Sequence, residues 1–247
     1  MGTIKIAISN QKGGVGKTCS VTTIAGILSR KGFRVLAIDL DSQGNLSTSL
    51  LQNLPEDTIA DTLNGGKLPI VKVTDRLDLV TCNTDINAVC QAMDSPDDRF
   101  ILQKALKRID GKYDFVIMDC PPHFDYITNN AYTAADYVFV PTQASKKSME
   151  GISLLANACY LAGTPTRING IFFTMYEPRT LITKKYEARI RDTYGSIVLK
   201  TQIRKCVKVD EAADEKMDVA EYCPLCTAAQ DYLAVVDEIL EIVTPKE

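Results

Sequence analysis

The residues of this chain best equipped for chemistry lie in one short stretch, Lys12-Gly13-Gly14-Val15-Gly16-Lys17-Thr18. Glycines let backbone N–H groups close around an anion. A lysine at the end of such a loop reaches the β- and γ-phosphates of a nucleotide, and the neighbouring hydroxyl ligates Mg²⁺. That chemistry requires a strand before the loop and a helix after it. Both are present, as an apolar run over residues 4–9 and a helix-like pattern over residues 21–28. The usual spacing G-x-x-x-x-G-K-[ST] fails at one position, because Gln11 stands where the first glycine belongs. A second lysine, Lys12, heads the loop instead and has no task within a single phosphate site.

Carboxylates close two further apolar runs. Residues 35–38 lead into Asp39-Leu40-Asp41-Ser42-Gln43-Gly44-Asn45, and residues 115–118 lead into Asp119-Cys120-Pro121-Pro122. One aspartate at a strand end is commonly a turn or cap residue. Three beside a phosphate loop point to a Mg²⁺ shell, where a carboxylate holds a metal-bound water.

The elements that must position these groups follow from the spacing of apolar residues. Runs over 4–9, 35–40, 77–81, 115–118, 137–141, 168–174 and 197–199 are continuous rather than alternating, as in strands buried on both faces of a parallel sheet. Helical periodicity fills the intervals, clearest over 149–161 and 181–194. The expectation is a doubly wound α/β fold, mainly parallel, with ligands at the carboxyl ends of the strands. Residues 52–75, with Pro55, Gly65, Gly66 and Pro69, read as a surface excursion containing a short helix near 58–63. No repeat, low-complexity linker or domain boundary interrupts the chain, so a single domain over residues 1–247 is expected.

Composition narrows the function classes. The 247 residues carry 45% hydrophobic and 24% charged side chains, ordinary values for a globular protein rather than a disordered or fibrous one. No run is long enough to span a bilayer, and the first strand begins too early for a signal peptide. A cytoplasmic protein is expected. Gly2 does not read as a myristoylation site, because Ile6 stands where Ser or Thr is required. The eight cysteines are expected to be free thiols, since a cytoplasmic chain rarely carries a disulfide framework. The net charge of −3 excludes a polycation, yet nine basic residues between Arg179 and Lys208 face only Glu187 and Asp192. Such a local concentration is the footprint of phosphate-backbone binding, and its few aromatics and lack of base-reading motifs favour sequence-independent duplex contacts.

Taken together, the loop at 12–18, Asp39-x-Asp41-x-Gln43-Gly44-Asn45 and Asp119-Cys120-Pro121-Pro122 resemble the ParA/Soj partition ATPases of the deviant P-loop class. The likeness continues through Thr133-Ala134-Ala135-Asp136, Pro141, Glu150-Gly151, Thr174-Met175 and residues 207–212, in order along nearly the whole chain. It is to the short type, with no DNA-binding domain before the P-loop. The resemblance implies ATP and Mg²⁺ as cofactors and a slow ATPase activity. ATP would be held by Lys12, Gly13, Gly14, Val15, Gly16, Lys17, Thr18, Cys19 and Met175. It implies that Lys12 crosses a dimer interface to the partner's phosphates. Lys17 would stabilise the transferred phosphoryl group, Asp41 would position the attacking water, and Thr18, Asp39 and Asp119 would surround the metal. It further implies a homodimer closed by ATP and bound to nonspecific double-stranded DNA through Lys184, Lys185, Arg189, Lys205 and Lys208. A ParB-like centromere-binding protein would release it by stimulating hydrolysis, and the protein would be nucleoid-associated.

Some positions depart from that family's pattern. Ser42 stands in place of a common proline, Arg204 and Cys206 replace residues near the adenine, and the only histidine, His123, occupies a position usually small. His123 is expected to be a polar surface or switch residue without catalytic duty. Two rival readings are weighed. The pair Cys223-Pro224-Leu225-Cys226 would suit an Mrp-type iron–sulfur carrier ATPase, although it lies far from that family's position for it. A MinD-like membrane ATPase would need a basic amphipathic tail, whereas residues 231–243 are acidic.

Overall fold

The computed structural model describes residues 2–161 and 167–244. The order of elements begins β1 (Ile4–Ile8), α1 (Lys17–Arg30), β2 (Val35–Asp39), α2 (Asn45–Leu50), α3 (Ile59–Leu63), β3 (Ile70–Lys72), β4 (Leu77–Val80), α4 (Ile86–Ala92) and α5 (Ile101–Lys107). It continues β5 (Phe115–Asp119), α6 (Tyr126–Ala134), β6 (Tyr137–Thr142), α7 (Lys146–Leu161), β7 (Ile168–Tyr176) and α8 (Leu181–Tyr194). The last elements are β8 (Val198–Arg204), α9 (Lys208–Asp214), α10 (Val219–Tyr222) and α11 (Thr227–Val243).

The strands form one eight-stranded sheet in the order β3-β4-β2-β5-β1-β6-β7-β8. Every pairing is parallel except β3 with β4. Strands β2 and β5 are fully buried because alternate side chains feed two cores. Leu36, Ile38, Val116 and Met118 pack to one side, and Val35, Ala37, Phe115 and Ile117 to the other. This is the doubly wound architecture that continuous apolar runs require. From β1 the chain winds towards β2 and β4, and from β6 it winds the opposite way to β7 and β8. The reversal opens a crevice at the carboxyl end of β1, where the phosphate loop begins.

The elements depart from the sequence pattern in two places. The excursion at 52–75 contains the expected short helix, with Thr58 as its N-cap. It also contains β3, an edge strand too short and too exposed to show an apolar period. The run expected at 197–199 proves to be the start of a strand reaching Arg204, so part of the basic stretch lies in the sheet.

Candidate nucleotide site

Local chemistry shapes the loop between β1 and α1. Gly14 and Gly16 take left-handed backbone, at φ 69° and 79°, which side chains disfavour. Gly16 is also the N-cap of α1, and the helix start has no side-chain cap and no acidic residue in its first turn. The N–H groups at that end are therefore available to an anion. Surrounding side chains fasten the loop. Thr174 Oγ1 donates to the Val15 carbonyl at 2.8 Å, Asn10 Nδ2 donates to the Pro141 carbonyl at 2.8 Å, and Asn10 Oδ1 accepts from the Lys12 N–H at 2.9 Å.

The loop opens on a cavity of about 700 Å³ whose wall includes Gly13, Gly14, Gly16, Lys17, Thr18 and Cys19. Lys17 is only 8% exposed, and its ammonium makes no hydrogen bond or ion pair among the described residues. A largely buried cation facing an open cavity is stabilised by an anionic ligand. Met175, Arg204, Lys205, Cys206, Asp210 and Met217 line the cavity as well. The Arg204 guanidinium is held by Asp231 at 2.9 and 2.7 Å, which fixes its place in the cavity wall.

The three aspartates occupy different positions around this cavity. Asp41 lines it, with Oδ1 accepting from the Gln43 N–H at 3.0 Å. Asp119 is 1% exposed, and its Oδ2 accepts from Thr18 Oγ1 at 2.7 Å, while Oδ1 is buried with no hydrogen-bond partner. An orphaned carboxylate oxygen beside a threonine hydroxyl at the mouth of a phosphate loop fits a hard cation with its water shell. Asp39 pairs with Asp119 in register across β2 and β5, and neither side chain lines the cavity, whose wall reaches Asp119 only through Thr18. Its oxygens accept from the Asp41 N–H at 3.1 Å, the Ser47 N–H at 2.8 Å and Ser47 Oγ at 2.7 Å. In this state Asp39 fastens the loop after β2 rather than presenting free lone pairs. Burial, and then the charge of Asp39, raise the Asp119 carboxyl well above the usual range. Burial raises that of Asp39 as well, against the donors that surround it.

Lys12 is outside the wall of the cavity in its own chain. Its Nζ donates to Gln143 Oε1 at 2.7 Å. Partial burial and the charge of Lys147 lower its pKa. His123 lies 3.0 Å from Asp125, the N-cap of α6, and is over half exposed. It belongs to that cap and not to the phosphate loop.

Of the nine basic residues, Arg179 and Lys200 are exposed and make no ion pair among the described residues. Lys184, Lys185 and Arg189 are exposed on α8. Arg191 folds back onto Glu187 and the Leu199 carbonyl at 2.9 and 3.0 Å. Lys205 lines the nucleotide cavity and pairs with Glu177 at 3.1 Å, while Lys208 pairs with Glu211 at 2.7 Å. The free positive surface is therefore narrower than the sequence count suggests. Among the described residues no group of three or more His, Cys, Asp or Glu could hold a metal ion, so Cys223 and Cys226 form no such site within one chain. No helix of the described residues is long and apolar enough to cross a membrane.

Gln143, Ser47 and Asn10 are site residues that the sequence does not disclose. Gln143 and Ser47 sit outside any phosphate-binding pattern, and their roles depend on strands meeting in space. Asn10 is marked in the sequence only by its position directly before the loop.

A phosphate loop at the switch point of a doubly wound sheet, with a buried lysine, a metal-ready carboxylate and an extra leading lysine, defines a P-loop ATPase of the deviant class. Comparison with known proteins narrows that class. A family model described as an AAA domain matches residues 3–168. The chromosome-partitioning ATPase Soj of Thermus thermophilus is 36% identical over 242 residues, covering 96% of this chain and 95% of its own. The chromosome partitioning protein ParA of Caulobacter vibrioides is 33% identical over 249 residues, covering 95% and 93%. Among solved structures, cobyrinic acid a,c-diamide synthase from Mycobacterium smegmatis, with bound ATP analog and magnesium, superimposes with a TM-score of 0.82. It is 28% identical and covers 97% of this chain and 95% of that one. The chain belongs to the ParA/Soj family of partition ATPases. It is an ATPase.

Proposed function

We propose that the chain works as a single-domain DNA-partition switch in the cytoplasm, in which ATP closes a homodimer. Lys17 and the uncapped start of α1 hold the triphosphate, and Thr18 and Asp119 hold Mg²⁺, which neutralises charge on the phosphates. Asp41, on the cavity wall, orients the attacking water, and Asp39 keeps the loop that carries Asp41 in place. Lys12 of each subunit serves the partner's phosphates. The observation that carries this reading is that Lys12 lies at the mouth of the phosphate loop yet outside its own cavity, on Gln143.

A dimer whose interface includes a γ-phosphate loosens after hydrolysis, which links turnover to release. Lys184, Lys185 and Arg189 supply a sequence-independent contact to duplex DNA, and dimerisation doubles it. This contact is what makes the protein nucleoid-associated. A ParB-like centromere-binding protein is the partner that stimulates hydrolysis. The acidic tail helix α11 packs Tyr232, Val235, Val236 and Ile239 into the core, which favours this reading over a membrane-binding one.

The test is multiple-turnover ATP hydrolysis, with DNA binding followed in the presence of ATP, ADP and no nucleotide. Slow hydrolysis and DNA binding that requires ATP are expected. DNA binding indifferent to nucleotide would overturn the switch.

A further inference from the structure

A lysine stands where the backbone favours glycine at the end of α9. Glu215 is the C-cap of that helix, and Lys216 follows it in left-handed conformation, at φ 58°. The Met217 N–H donates to the Ala212 carbonyl at 2.9 Å, and the Lys216 N–H donates to the Ala213 carbonyl at 3.1 Å. Those two bonds close a Schellman motif, whose left-handed position is usually glycine because a Cβ is strained there. A side chain kept in strained backbone points to a use for it.

That side chain is engaged. Lys216 Nζ donates to the Thr48 carbonyl at 2.8 Å and to the Leu51 carbonyl at 3.1 Å, at the end of α2. A helix leaves acceptors unmatched at that end and favours a cation there. Thr48 and Ser49 of α2 line the nucleotide cavity, and so do Asp214, Met217 and Asp218 from the other side of the contact. The ammonium therefore joins two parts of the cavity wall that are distant in the chain. A second attachment holds the same connection. Asp218 is 5% exposed and accepts from Arg30 of α1 at 2.6 and 2.7 Å. Lys216 is exposed. The connection between α9 and α10 thus has one buried anchor and one solvent-reachable contact, and contacts of the second kind open first.

We propose that Lys216 is a positioning residue for the nucleotide: its ammonium clasps the α9–α10 connection to the end of α2 and sets the rate at which nucleotide leaves the cavity. With the clasp closed, Asp214 and Met217 are tied to the α2 part of the wall. When the ammonium lets go, the connection pivots on Asp218 and the wall parts between α2 and α9. Opening serves entry as well as release, so the clasp governs exchange kinetics more than affinity. This role rests on the reading that the cavity holds nucleotide, and not on the dimer or the DNA contact.

The test follows release of N-methylanthraniloyl-ADP from the intact protein in the presence of Mg²⁺, chased with excess ADP, in Lys216→Gly and Lys216→Asn. Both replacements accept left-handed backbone and neither reaches α2, so both variants should unfold in urea at the parental midpoint or above it. Release should be about fivefold faster in each. In the nucleotide-free proteins, amide hydrogen exchange over residues 45–51 should quicken too, a readout that needs no ligand. Release at the parental rate in both variants would overturn the proposal. So would acceleration in Lys216→Gly alone, which would assign the effect to backbone freedom and not to the ammonium. A probe that does not bind even the unmodified protein would overturn the nucleotide reading of the cavity, and the clasp with it.

Discussion

Asp119 carries an unmatched oxygen in a place from which solvent is excluded, and a second buried carboxylate, Asp39, lies directly across from it. Their folded-state pKa values are raised, so the folded chain holds these protons at a pH where the unfolded chain has released them. The resulting instability grows as pH rises from the ordinary carboxylate range through the raised values, and it is constant above them. Asp119→Asn should therefore stabilise the ligand-free protein at neutral pH by about 1–2 kcal/mol and flatten its pH dependence. The same variant should lose the stabilisation that Mg²⁺ with nucleotide gives the native sequence. Thermal melts across pH, with and without Mg·ADP, check both effects; a variant less stable than its parent at neutral pH would show that the buried pair is compensated. Lys12 poses a different question, because its amine is held by Gln143 and not by its own loop. Lys12→Ala should keep ATP affinity within about threefold while losing the ATP-dependent dimer, as read by light scattering. A dimer of unchanged stability would remove the cross-subunit role.

At the scale of elements, the site depends on two close approaches that only glycine allows. Gly44, at φ 63°, caps α2, and a side chain there would bring Cβ within 2.9 Å of the Cys82 carbonyl. That approach lets Ser47 reach Asp39 and accept from the Cys82 N–H at 2.9 Å, tying the Asp41 loop to β4. Gly26 sits in the middle of α1, where alanine would ordinarily be about 1 kcal/mol better. Here a Cβ would fall 2.2 Å from Asp218 Oδ2. Asp218 caps α10 and is gripped by Arg30 at 2.6 and 2.7 Å, so α1 and α10 are latched through that carboxylate. Gly26→Ala should reverse the usual sign and destabilise the fold by about 2 kcal/mol or more in urea unfolding. A neutral or stabilising outcome would mean that the latch yields.

For the whole molecule, the distribution of charge matters more than its total. Arg191 and Arg204 belong to the architecture, since each is held against backbone or a carboxylate, whereas Lys184 and Lys185 project from α8. Replacing both lysines by glutamate should weaken DNA binding and reduce the slope of log affinity against log salt by about 0.9 for each phosphate that is no longer neutralised. ATP binding should stay intact. Anisotropy titrations over a range of salt measure the slope, and an unchanged slope would place the DNA surface elsewhere on the molecule.

The order of strand, glycine loop and helix, and the aspartates closing buried strands, were legible from residue types alone. They depend on local spacing and on the apolar runs that a parallel sheet requires. The length of β8, the edge strand β3 and the sorting of the basic residues were not, because each depends on which atoms meet after folding. Nothing near Arg204 in sequence announces Asp231. Tertiary structure likewise joined Asp119 to Thr18 on the cavity wall and Asp39 to Ser47 behind it. The two are equivalent as sequence signals, since each closes a buried strand with one acidic residue. They differ because Ser47 reaches one of them and Thr18 the other, and it is contacts between distant parts of the chain that distribute hydrogen bonds.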